Sequence, residues 1–121
     1  MSRLSKEFRE RTKRFASRVV RLVAALPRQR MEVEVIGCQL LRAGTSVAGQ
    51  TREASRARSS AEFCSKIEGA LQEADESQLW LELLKENCGV TGDSLDWLHQ
   101  ESNELVAIFV TIVSKLKNPS F

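Results

Sequence analysis

Four stretches of the chain repeat apolar residues every three or four positions, with polar residues between them. That period is the signature of an amphipathic helix. In the first stretch, about 5–26, Leu4, Phe8, Phe15, Val19, Leu22 and Leu26 fall within about 60° of one another at about 100° per residue. Pro27 ends it, because proline disfavours helix in the residue before it. In the second, about 30–55, Val33, Ile36, Leu40, Val47 and Ala54 share a face. Gly37, Gly44 and Gly49 interrupt this segment, and each weakens a helix interior by up to about 1 kcal/mol relative to alanine. Their presence predicts close approach of a neighbouring helix.

The third stretch, about 60–87, opens with Ser59 three residues before Glu62, a capping-box pattern. Phe63, Ile67, Ala70, Leu71, Ala74, Leu81 and Leu84 face inward, and Gly89 supplies a stop. The fourth, about 94–117, carries Leu95, Leu98, Ser102, Leu105, Phe109, Ile112 and Leu116 in alternating steps of three and four. Asn118-Pro119 closes it. Long helices joined by short loops run antiparallel to their neighbours, so the pattern predicts an all-α, up-down-up-down four-helix bundle in one domain spanning 1–121.

Composition agrees with a globular helical chain: 121 residues, 42% hydrophobic, 28% charged, two prolines and no tyrosine. No run approaches the ~18 apolar residues of a membrane span. The N-terminus lacks the apolar core of a secretory signal, so a cytoplasmic location and no membrane partner are expected. Cys38, Cys64 and Cys88 are widely spaced and His99 is the only histidine. That pattern suits neither a zinc site nor a disulfide framework. His99 has Asp96 rather than Glu three residues before it, so the Glu-x-x-His pair of a di-metal bundle is missing. With no phosphate-binding glycine loop and no nucleophile–histidine set, no catalytic residue, metal or cofactor is expected, and neither is an enzyme.

Charge changes the picture more. Net charge is only +2. Residues 1–30 hold ten Lys/Arg against two Glu, residues 31–60 four against three, and residues 61–121 four against eleven Asp/Glu. The first helix is therefore basic and the last two acidic. Arg3, Arg11, Arg14, Arg18 and Arg21 project within about 80° of one another, with Lys6 and Lys13 further round. Arg11, Arg14, Arg18 and Arg21 form a candidate ridge for RNA or DNA phosphates. No exposed aromatics interleave it, so base stacking is not indicated. The alternative is a protein scaffold in which the ridge pairs with acidic surfaces of the same bundle, a neighbouring subunit or a protein partner. Leu79, Trp80, Leu83, Trp97 and Ile108 lie off the central stripes and predict an oligomer interface.

The stretches QLLRAGTSVAGQTREA (39–54) and SSAEFCSKIEGALQEADESQLWLELL (59–84), with RTKRFASRVVRLVAALP upstream, resemble a known family. They are similar to the four-helix-bundle proteins named for the intervening sequences of bacterial 23S ribosomal RNA genes. The match covers about 8–88 and rests on Gln39, Arg42, Ser46 and Glu53 in the second helix. In the third it rests on Lys66, Glu73, Glu76 and Trp80. Arg42, Ser46 and Glu53 share a face within about 40° and are expected to meet Lys66 or Glu73 in a polar seam between helices or subunits. The family has asparagine where this chain has Gln50. The resemblance implies a homopentameric, barrel-like assembly. A more distant similarity, to the accessory variability determinant of diversity-generating retroelements, implies binding of nucleic acid and a reverse transcriptase.

Overall fold

The computed structural model describes residues 3–118; the Pro119 stop predicted above lies outside them. Four helices follow one another: α1 Lys6–Ala24, α2 Met31–Ser55, α3 Ser60–Glu86 and α4 Asp93–Lys117. No strand occurs among the described residues. Each helix packs on its neighbours in sequence and α4 closes back on α1. The α2–α3 interface is the most extensive and α1–α4 the thinnest. This is the up-down-up-down bundle that the periodicity predicts.

Local chemistry sets the ends. Ser5 caps α1 by accepting from the Phe8 amide at 3.1 Å. Ser59 caps α3 by accepting from the Glu62 amide at 3.0 Å. The reciprocal half of the box is displaced: Glu62 Oε2 accepts from the amide of Arg58 at 3.5 Å. Helix α1 stops at Ala24, two residues short of the expected end. The Ala25 amide is shared among the carbonyls of Arg21, Leu22 and Val23, a tightened final turn, and Pro27 keeps Leu26 out of helical geometry. Leu26 is still buried, folded back onto α2. After α3 the chain reverses at Gly89, whose φ of +71° is left-handed, and the Val90 amide returns to the Leu84 carbonyl at 3.0 Å.

The core is continuous from end to end. Phe15 and Val19 of α1, Val33, Leu40 and Val47 of α2, Ile67, Leu81 and Leu84 of α3, and Leu95, Leu98, Leu105 and Phe109 of α4 are all essentially inaccessible. Phe8 meets Phe109 edge-on, with ring centroids 5.6 Å apart. Leu116 departs from the expected stripe and is exposed. It lies seven residues, about 10 Å of helix, beyond Phe109, which is already level with Phe8 near the start of α1, so α1 no longer covers it.

Two of the three α2 glycines mark close approach. A Cβ on Gly44 would lie 2.8 Å from Val19 Cγ2, and one on Gly37 would lie 2.9 Å from Leu26 Cδ1. These positions let α1 sit tightly on α2. The expectation fails at Gly49, where a Cβ would meet nothing within 4 Å, because Gly49 is exposed and points away from the core.

Candidate nucleic-acid interface

The basic residues of α1 divide according to the helix they face. Arg11 turns towards α4. Its Nε and Nη2 donate to the two oxygens of Glu101 at 2.8 Å each, and Nη2 also donates to Glu104 at 3.0 Å. The Glu101 side chain is only 9% exposed, so this fork-on-carboxylate pair is largely shielded from water. The hydrogen bond to Glu101 drives the Arg11 guanidinium above its already high ordinary value, although burial opposes this. Arg18 also faces α4, its guanidinium carbon 4.0 Å from the centroid of the Trp97 ring, a cation–π contact. Arg3 is tied to the start of α3: it donates to Ser60 Oγ at 3.2 Å and lies over the Phe63 ring.

Arg14 and Arg21 of the same ridge are exposed and make no ion pair among the described residues. The structure therefore does not present the five arginines as one free ridge. The sequence spacing places them side by side, but α4 binds them unequally: Glu101 and Glu104 hold Arg11, Trp97 takes Arg18, and Arg21 lies near Asp93 without pairing to it.

A second group of cations lies on the other side of α1. Lys6, Arg9 and Lys13 face Arg52 and Arg56 across a groove of about 560 Å³ between α1 and α2, with Glu10 as the one acidic member. Thr12, Ala48 and Gly49 also line this groove. None of the five cations is ion-paired among the described residues; Arg9 makes a 3.4 Å bond to the Ser5 carbonyl. Sequence reasoning missed Arg9, Arg52 and Arg56 as candidates. The available signal was the steps of three and four that link Lys6, Arg9 and Lys13, and Arg52 to Arg56. The start of α1 lies beside the end of α2 in an antiparallel hairpin, so the two sets meet.

The polar positions behind the resemblance lie mostly at the α2–α3 interface. Arg42 donates to Glu73 at 3.0 Å and to Glu76 at 2.8 Å, and Gln39 accepts from Arg42 Nε at 3.4 Å. Lys66 donates to Glu53 at 2.8 Å, while Ser46 is half-buried. Hydrogen bonding to Glu76 and the charge of Glu73 raise Arg42, and hydrogen bonding to Glu53 raises Lys66. Within one subunit, then, Arg42 meets Glu73 and Glu53 meets Lys66. Gln50 lays its carboxamide over Gly69, where a Cβ would come within 2.9 Å of Gln50 Cδ; the longer side chain fits because position 69 has none.

Of the apolar candidates, Leu79 is 46% exposed, and Trp80, Leu83, Trp97 and Ile108 are half-buried. Trp80 and Trp97 pack against the core. Trp80 Nε1 is buried without a hydrogen-bond partner among the described residues. Among the described residues, no helix is long and apolar enough to cross a membrane. No group of three or more His, Cys, Asp or Glu among the described residues is placed to hold a metal ion.

A family model described as 23S rRNA-intervening sequence protein matches residues 6–111. The chain belongs to that family. A solved structure agrees: a protein of unknown function from the S23 ribosomal protein family of Bacteroides thetaiotaomicron. It is 33% identical, the match covers 87% of this chain and 96% of that one, and the TM-score is 0.78. No curated protein matches. Family membership extends the resemblance into α4, where the sequence matched only in period.

Proposed function

We propose that this protein is a non-enzymatic, homo-oligomeric helical bundle that binds RNA or DNA through the basic exterior of α1. The observation that carries this reading is the set of exposed cations left unpaired on α1. Lys6, Lys13, Arg14 and Arg21 all face water, while the acids of α3 and α4 are largely taken up elsewhere, by Arg11, Arg42, Lys85 and Lys117. Had the ridge served only to pair with acidic helices, Arg14 and Arg21 would be expected to find carboxylates as Arg11 does. Unpaired surface cations attract phosphates and release the counterions condensed on a nucleic acid, which makes binding steeply salt-dependent.

Oligomerisation is supported by apolar side chains that one bundle leaves in water. Leu79 and Val110 are about half exposed on α3 and α4, and Leu83 and Ile108 are half-buried on the same helices. A ring of subunits, five on the pattern implied by the family resemblance, would cover these and repeat the basic surface, multiplying weak contacts.

Size exclusion with light scattering, read at two wavelengths, gives subunit number and co-purified nucleic acid together. A filter-binding titration at several salt concentrations then tests the basic exterior. Expected are a mass several times 13.6 kDa and an affinity that falls steeply with salt. A monomer would remove the assembly, and binding that ignores salt, or no binding at all, would remove the nucleic-acid reading.

A further inference from the structure

We propose that the groove between α1 and α2 is a binding site for the phosphodiester backbone of a double-stranded nucleic acid. This rests on the nucleic-acid reading above and assigns it a location and a substrate shape.

Three observations converge on the groove. Its two walls carry cations on both sides, Lys6, Arg9 and Lys13 on α1 and Arg52 and the C-cap residue Arg56 at the end of α2, against a single acid, Glu10. Five positive side chains held around one cleft repel one another, and Glu10, the one carboxylate in the lining, forms no ion pair with any of them among the described residues. An anionic ligand seated between the walls neutralises both at once. The lining also contains no aromatic residue. Proteins that hold single strands rely on aromatic platforms on which unstacked bases rest. A duplex needs none, because its bases are already stacked on each other, and it is held through phosphate and shape. The third observation is Gly49. A glycine in a helix interior is destabilising relative to alanine, and Gly37 and Gly44 have a packing reason. Gly49 has none: open space lies where its Cβ would be, at the groove. A missing side chain there allows a ligand backbone to approach the helix closely.

The cations act as phosphate ligands and carry no sequence information, so binding is expected to be independent of base sequence. Arg52 and Arg56 separate this site from the α1 exterior, because they stand at the C-terminal end of α2.

The test is fluorescence anisotropy with a duplex of about 20 base pairs, in RNA and DNA forms, and each single strand alone, at three salt concentrations. The parent protein is compared with Arg52→Gln/Arg56→Gln, with Gly49→Leu, which fills the groove, and with Arg14→Gln/Arg21→Gln. All these positions are exposed, and a melting curve checks each fold. Expected are duplex affinity at least tenfold above single strand and at least a tenfold loss in Arg52→Gln/Arg56→Gln. The slope of log affinity against log salt should also flatten by about 2 units for the two lost phosphate contacts. Gly49→Leu weakens binding with the salt slope of the remaining contacts. Arg14→Gln/Arg21→Gln loses less than the α2 pair. A parent that binds while Arg52→Gln/Arg56→Gln binds equally well overturns the groove and leaves the nucleic-acid reading standing. Preference for the single strand, or equal competition by polyglutamate or millimolar inorganic phosphate, overturns the duplex assignment. A parent that binds nothing overturns both.

Discussion

The two edges of α1 carry the same kind of residue into different surroundings. On the edge facing α4, Arg11 is locked by Glu101 and Glu104, and Arg18 lies on Trp97. On the edge facing α2, Lys6, Arg9 and Lys13 lie across an open groove from Arg52 and Arg56, more positive charge, with Glu10 the single acid in the lining. Charge on a helix is set by its own sequence, but whether that charge is spent inside the fold or offered to a ligand is set by the neighbouring helix. The α4 edge holds the thinnest interface of the bundle together. The α2 edge is held by packing of Val19 against Gly44, which leaves its cations free.

The largest consequence concerns Arg11. Arg11→Met leaves the shielded Glu101 carboxylate without its partner. Breaking a buried pair from one side costs about 3–5 kcal/mol. Because Arg11 is itself 30% exposed, we expect about 2–3 kcal/mol in urea unfolding, with duplex affinity unchanged within about twofold. Arg11→Met/Glu101→Met recovers most of that loss, since an apolar pair of similar volume replaces the ions without stranding either. A large drop in affinity with intact stability would mean that the α4 edge binds ligand after all.

How much of this was legible in the sequence varies by level. Four helices and their order follow from apolar period alone, and Ser5, Ser59 and Pro27 fix three of the ends. The core stripe was readable too, except at Leu116, where the relative stagger of α1 and α4 decides exposure. The resemblance pointed to a polar seam of Arg42, Ser46 and Glu53 with Lys66 or Glu73, and the structure supplies the pairs Arg42–Glu73 and Glu53–Lys66 within one subunit. For the basic ridge, sequence offers both a free face and pairing with acidic helices, without saying which arginine does which. Residues on one helix face share a direction, but Glu101 and Glu104 approach from α4 at one level only, and one sequence does not give that register. The groove was missed for the complementary reason: its cations sit on two helices.

Two glycines sharpen the account of the α2 edge. Gly44→Ala pushes a methyl into Val19, and overpacking of this kind costs about 1–3 kcal/mol; a fall in melting temperature reads it. Gly49→Ala meets open space and removes the cost of a helix-interior glycine, so it should stabilise by about 0.5–1 kcal/mol. Equal effects at the two sites would contradict the assigned packing.

The smallest effect belongs to a surface pair remote from both edges. Hydrogen bonding to Lys117 holds Glu68 below the ordinary carboxylate range, and the same bond raises Lys117. The folded carboxylate is the more acidic one, so the contribution is present above about pH 4.3, the usual glutamate value, and fades as pH falls through the lowered folded value. Lys117→Gln should therefore melt slightly below the parent at pH 7, the difference fading as pH falls through the lowered folded value and shrinking with added salt.

The central claim, that the α2-facing edge of α1 meets the ligand, is most directly tested by lysine acetylation footprinting with mass spectrometry, with and without duplex. Lys6 and Lys13 should lose reactivity when duplex is added. Lys85, at the opposite end of the bundle, should not. Unchanged reactivity at Lys6 and Lys13 under conditions where the duplex is bound would contradict the account.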